Sequence, residues 1–142
     1  MKLLTIDSSV FVAVFDSLDI FHQQSKDFFD YLANSKVRVV LPILVLFEVS
    51  NALARKKKIE DPAWLLGEFE KFELLDMDTE FLKSAFPFFR LLSIKTGDAV
   101  IAATSVLYDT KLITWDRTFR DAVKKYVSVF TPPDYVEHMN QK

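Results

Sequence analysis

Four carboxylates stand where a charge is costly. Asp7 ends the apolar run Lys2–Ile6, Asp116 ends a second run, Leu112–Trp115, Glu48 interrupts the apolar stretch Ile43–Val49, and Asp98 immediately precedes the small-residue run Ala99–Ala103. A carboxylate withdrawn from water needs a compensating partner, and one hard divalent cation can satisfy several at once. Acids converging on Mg²⁺ or Mn²⁺ can lower the pKa of a bound water and stabilise charge on a leaving oxygen, the requirements for hydrolysing a phosphodiester.

Each acid also has a purely structural explanation. Asp116 can N-cap the helix after it, a role in which Asp outperforms Ala by about 1 kcal/mol. Asp98, two residues past the helix-opening Thr96, can complement a helix dipole. Asp7 can cap a helix through Ser8–Phe15, although Ser8 and Ser9 offer hydroxyls for that. Glu48 resists such a reading. Its helical neighbours are Leu44, Val45, Asn51 and Ala52, with no Lys or Arg among them, so a charged Glu there either titrates upward or meets a metal.

Other chemistry has little footing. His22 and His138 are isolated and there is no cysteine, which leaves zinc without a ligand set. Ser8, Ser9 and Thr114 have no His or Lys base at a recognisable spacing, so covalent catalysis is disfavoured; Ser9 and Thr114 are better suited to orienting carboxylates. Two glycines cannot make a Gly-rich phosphate loop. Asp16, Asp19, Asp61, Asp76, Asp78, Asp109 and Asp121 read as solvated turn, cap or helix-face residues, and Arg55–Lys58 as a basic helix end, with RNA contact the lesser reading.

The elements that must position the acids follow from pattern. Lys2–Ile6 reads as a buried strand, followed by a short helix through Val10–Phe15. His22–Asn34 has a 3.6-residue apolar period. Val37–Leu41 is a β-branched strand stopping at Pro42, and Ile43–Lys57 is a helix. Asp61-Pro62 opens a helix to about Phe72. Glu73–Met77 is a weak strand, and Thr79–Leu91 a helix that Pro87 kinks or breaks. Thr96–Asp109 is a helix whose Ala99, Ala102 and Ala103 permit close approach. A strand at Lys111–Thr114, a helix at Thr118–Tyr126 and a strand at Ser128–Phe130 complete the pattern. Regular structure is expected to end at Thr131-Pro132-Pro133, leaving a partly disordered tail, residues 131–142.

This alternation means an α/β fold around a mostly parallel sheet with helices on both faces. Ligands bind such sheets outside the carboxyl ends of the strands, where Asp7 and Asp116 fall. The 142 residues suit a single domain, 1–142. Absence of cysteine, of a signal-peptide pattern and of any 18-residue apolar run makes a cytoplasmic protein without a membrane span the default. A net charge of −2 gives no support for strong non-specific nucleic-acid binding, but is compatible with cations neutralising an acidic pocket. Fourteen Phe residues exceed what a core needs, leaving a partner groove or dimer face as a secondary use.

At four segments the chain resembles the PIN-domain family, and within it the VapC-type toxin ribonucleases of toxin–antitoxin pairs. These are Ile6-Asp7-Ser8-Ser9, Phe47-Glu48-Val49-Ser50-Asn51-Ala52-Leu53, Gly97-Asp98-Ala99-Val100-Ile101-Ala102-Ala103 and Leu112-Ile113-Thr114-Trp115-Asp116-Arg117-Thr118-Phe119, in the family's order and spacing. The resemblance implies a five-stranded parallel sheet flanked by helices and an acidic pocket for Mg²⁺ or Mn²⁺. Asp7, Glu48, Asp98 and Asp116 match the family's acids; Ser9 and Thr114 match its supporting hydroxyls. It also implies an RNA substrate, a homodimer, and a cognate antitoxin in a groove of the early helices. The family often has a Gly between the Ala-rich helix and the next strand, where this chain has Tyr108-Asp109-Thr110-Lys111. The rivals are a PIN-fold nuclease of RNA processing outside a toxin operon, a non-catalytic partner-binding module, and phosphoryl transfer through Asp7. The last lacks the second acid expected two residues on, where Ser9 stands.

Overall fold

Lys2–Ile6 (β1) is the central strand of a computed structural model that describes residues 2–142. It is followed by α1 (Ser8–Phe15), α2 (His22–Ala33), β2 (Val37–Pro42), α3 (Ile43–Arg55), α4 (Pro62–Phe69) and β3 (Glu73–Leu75). Then come α5 (Thr79–Leu92), α6 (Thr96–Tyr108), β4 (Lys111–Ile113), α7 (Arg117–Val123), β5 (Val129–Phe130) and α8 (Pro132–Asn140). The strands pair in parallel in the order β3-β2-β1-β4-β5. Parallel connections are right-handed almost without exception. Connections leading from β1 out to β3 therefore place α1–α4 on one face, and those leading through β4 to β5 place α5–α7 on the other. The chain changes direction between β1 and β4, and that switch point is where a crevice opens at the strand carboxyl ends.

The core runs along both faces of β1, β2 and β4, where Leu4, Ile6, Leu41, Leu112 and Ile113 are fully buried. Helix α6 is buried without interruption from Ala99 to Ser105, and its small side chains let it lie directly on β1, β2 and β4. Thr5, inside β1, donates to the Val40 carbonyl at 3.0 Å and lies 2.7 Å from the Thr110 hydroxyl, so this buried polar group is satisfied. Among the described residues no single helix is long and apolar enough to cross a membrane.

Several local expectations are corrected. The chain does not become irregular at Thr131. The Thr131 hydroxyl accepts from the Asp134 amide at 3.3 Å and caps α8, whose Pro132, Tyr135 and Met139 are buried against α2 and β5. Helix α5 runs through Pro87 to Leu92; Pro87 and Lys83, one turn earlier, are both exposed, so water can satisfy the carbonyl that loses its amide. Helix α3 ends at Arg55 because Lys57 adopts a left-handed backbone (φ 55°). Neither Ser8 nor Ser9 caps α1, and Lys95 rather than Thr96 occupies the N-cap position of α6. Asp109 takes the left-handed conformation (φ 52°) that the turn after α6 demands, a conformation Asp tolerates better than most non-glycine residues. Asp16 is not solvated. It is buried, and Lys56 and Lys58 reach it at 3.1 and 3.5 Å. The Leu18 amide, then Lys56, with Lys58 adding to both, hold its carboxyl below the usual carboxylate range despite burial. Two of the four basic residues closing α3 are thereby engaged within the fold.

Candidate active site

The β1–β4 ladder continues one residue beyond β1, with the Asp7 amide donating to the Ile113 carbonyl at 2.8 Å. Asp7 and the β4 exit, Thr114-Trp115-Asp116, therefore leave the sheet side by side at the switch point. Asp7 is only 5% exposed. Its Oδ2 accepts from Thr114 Oγ1 at 2.7 Å, and Ser8 Oγ lies 3.4 Å from Oδ1. Because the Thr114 proton is committed to Asp7, the same oxygen accepts from the Asp116 amide at 3.1 Å and from Ser9 Oγ at 3.4 Å. Thr114 thus fixes one acid by its proton and the next by its lone pairs. Asp116 Oδ1 accepts from the Phe119 amide at 3.0 Å, so it does cap α7, using one oxygen.

The other two acids come from helices on opposite sides of the sheet. Glu48 on α3 and Asp98 on α6 line one pocket with Asp7 and Asp116, together with Ser8, Ser9, Asp19, Phe21, Lys95 and Trp115; its volume is about 390 Å³. Gly97 leaves room for the tip of Glu48. A Cβ there would stand 2.7 Å from Glu48 Oε2, closer than a real side chain tolerates. Glu48 is half-buried, and its Oε1 is buried without a hydrogen-bond partner. Burial, then Asp7 and Asp98, push its pKa up against the opposing pull of Ser8 and Lys95. Burial also pushes the Asp98 carboxyl up to about 6; Lys95, 3.8 Å away, opposes this, while Asp7 and Asp116 add to it. Among the described residues no three acidic or histidine side chains form a finished metal-binding group. The four acids line the pocket without forming such a group.

The structure thus brings Asp7, Glu48, Asp98, Asp116, Ser9 and Thr114 into one neighbourhood. Sequence reasoning passed over Lys95, Gly97, Phe21 and Trp115, and set Asp19 aside as solvated, although it is half-buried in the pocket wall. Lys95 had a local signal, since it lies one helical turn before Asp98. Gly97 stands in a segment that carries the family resemblance, but its spatial constraint comes from Glu48, 49 positions away, and no local pattern shows it.

Thr114→Val should lower stability by about 1–3 kcal/mol, because the Asp116 amide and Asp7 Oδ2 each lose a buried partner while shape is kept. Thr114→Ser should restore most of it. Urea unfolding of the three proteins checks this; a Val variant as stable as wild type would mean that the hydroxyl supports neither acid.

The chain matches the family model of the PIN domain over residues 4–125. No curated protein matches it in sequence. Solved structures resemble it in fold. VapBC2 from Rickettsia felis, bound to a DNA fragment from its promoter, superposes with a TM-score of 0.70 at 15% identity, covering 92% of this chain and 98% of that one. A toxin–antitoxin complex from Klebsiella pneumoniae gives 0.68 at 17% identity, covering 93% and 98%. VapC20 of Mycobacterium tuberculosis, described as a toxin that cleaves the sarcin–ricin loop, gives 0.69 at 17% identity, covering 84% and 94%. With the sheet order, the acids at the switch point and the family match over most of its length, this chain belongs to the PIN domain family.

Proposed function

We propose that the protein is a Mg²⁺- or Mn²⁺-dependent endoribonuclease and the toxin of a toxin–antitoxin pair. The observation that carries the reading is the acidic basin itself. Four carboxylates share one pocket, two of them with raised pKa values, and a buried Glu48 oxygen has no partner. Such a set destabilises the fold unless it serves a cation. The donor set fits a hard divalent ion in type and charge, with Asp7, Asp98 and Asp116 as direct ligands and Glu48 holding either the ion or its water. When bound, the ion supplies a water of lowered pKa and stabilises charge on the leaving oxygen.

The chain's own groups do the rest. Thr114 locks the Asp7 carboxylate in one orientation, and Ser9 braces Thr114 and the Trp115 amide. Lys95, exposed beside Asp98, offsets part of the pocket's charge in the free protein and can turn to an incoming phosphate. No side chain need act as nucleophile.

The partner reading draws on two features. A groove of about 190 Å³ lies among α1, α2 and α4, with an aromatic floor that includes Phe15, Phe29 and Phe72 and with Lys26, Asp30, Glu68 and Lys71 also lining it, and suits an amphipathic antitoxin segment. Phe47 on α3 is 67% exposed, and Leu82 and Phe86, one turn apart on α5, are half exposed, which suits a homodimer face. Similar folds have been solved as toxin–antitoxin assemblies.

Incubating the purified protein with single-stranded RNA tests the central claim. Cleavage is expected with Mn²⁺ or Mg²⁺, is expected to stop in excess chelator, and should return when metal is restored. Cleavage persisting in chelator overturns the metal mechanism. Failure to bind Mn²⁺ at millimolar concentration would favour the non-catalytic partner-binding module.

A further inference from the structure

In the pocket wall, Phe21 and Trp115 lie ring on ring, with centroids 4.0 Å apart and planes 7° from parallel. The other aromatic pairs among the described residues are tilted or edge-on. Aromatic pairs prefer offset-stacked or edge-to-face arrangements, and this is the one parallel pair among the described residues, with both members lining the pocket. Trp115 has two anchors: its Nε1 donates to Ser25 Oγ at 2.8 Å and its amide to Ser9 Oγ at 3.2 Å. The Phe21 amide is held by Asp19 Oδ1 at 2.8 Å. Both rings are only partly buried, and Trp115 immediately precedes Asp116.

We infer that the Phe21–Trp115 pair is the stacking platform for one unpaired nucleobase of the substrate, beside the phosphate that the acids address. This rests on the nuclease reading above. A base laid parallel on the pair extends a two-ring stack to three. A base inside a duplex is already stacked on both sides and must first be pulled out. The platform therefore selects single-stranded segments, and it does so with little regard to sequence, because every base has a π-face. It also supplies ground-state affinity that charge does not, since a chain of net charge −2 gains little from phosphates alone. Asp19 acquires a positioning role: its carboxylate holds the turn that presents Phe21.

The test uses a single-stranded RNA with one abasic nucleotide moved stepwise through the positions flanking the cleaved bond, with Mn²⁺. In wild type, one abasic position beside the bond should raise KM about ten-fold or more, the loss of one base–aromatic stack, with kcat changing less. In Trp115→Leu the KM for intact RNA should rise by a similar factor and the abasic penalty should vanish. Phe21→Leu provides the same comparison should Trp115→Leu fail to fold. An equal abasic penalty in wild type and variant, or no position that matters, overturns the platform and leaves the nuclease reading standing. If wild type cleaves no RNA at all, the nuclease reading fails instead. Trp115 emission in a Trp64→Phe background then decides the platform. Saturable quenching by single-stranded but not double-stranded RNA supports it, and no quenching overturns it.

Discussion

Asp7→Asn should reduce Mn²⁺-dependent RNA cleavage by more than about a hundred-fold, beyond the loss usually seen when only a ligand-supporting residue is removed. The protein should remain folded. Asn keeps the shape of the side chain, its carbonyl oxygen can still accept from Thr114 Oγ1, and its amide can face the Ser8 hydroxyl. What disappears is the charge at the most deeply buried of the four acids. Loss of that charge also relieves Glu48 and Asp98, both of which Asp7 pushes upward, so the metal-free melting temperature should not fall. Asp116→Asn offers a cleaner separation still. Asn caps a helix as well as Asp, so the bond from the Phe119 amide survives while the charge does not. Circular-dichroism melts alongside cleavage assays check both variants. Wild-type cleavage by either would remove that acid from the site.

Asp98 should make the metal-free protein lose stability as pH rises from about 4 to about 6. Its ordinary pKa is 3.8 and burial raises it to about 6 in the fold. Between those values the native state binds more protons than the unfolded chain, so the contribution is complete below 3.8, is lost as pH climbs to 6, and is flat above. A displacement of that size corresponds to roughly 3 kcal/mol at most. Glu48, also raised, acts with the same sign. Asp98→Asn and Glu48→Gln should each flatten this slope and melt higher than wild type near pH 8 without metal. Added Mn²⁺ should reverse the ranking, because it stabilises by mass action and both variants bind it less tightly. Asp16 works in the opposite sense and in another window. Its lowered pKa contributes stability that is lost only as pH falls below the ordinary carboxylate range. Urea unfolding from about pH 2 to 8, with and without Mn²⁺, separates these effects. Wild-type stability that is level or rising between pH 4 and 6 would contradict the placement of Asp98, and an unchanged metal shift in Glu48→Gln would take Glu48 out of the site.

The sheet and the four acids were legible because both are written locally. Apolar runs such as Leu112–Trp115 announce strands, and an acid closing such a run stands out against its neighbours. What escaped depended on distant parts of the chain. Asp16 reads as a turn residue until Lys56 and Lys58 fold onto it from the end of α3. Glu48 shows no cation among its helical neighbours, and the one that reaches it electrostatically, Lys95, comes from the loop before α6. The Thr131-Pro132-Pro133 segment misled for a different reason. Proline terminates a helix from within but suits the first turn, where its amide would be unpaired anyway, so the same residues that read as a stop open α8.

Gly97 shows no left-handed backbone; its constraint is purely one of space, imposed by the Glu48 carboxylate across the α3–α6 contact. The two positions are therefore coupled through the tip of one flexible side chain. An Ala at 97 displaces the tip of a Glu at 48, whereas an Asp at 48, one methylene shorter, withdraws from the volume the new methyl would fill. The order of change then matters: shortening at 48 first opens room for the methyl, whereas Ala at 97 first makes the flexible tip of Glu48 swing aside.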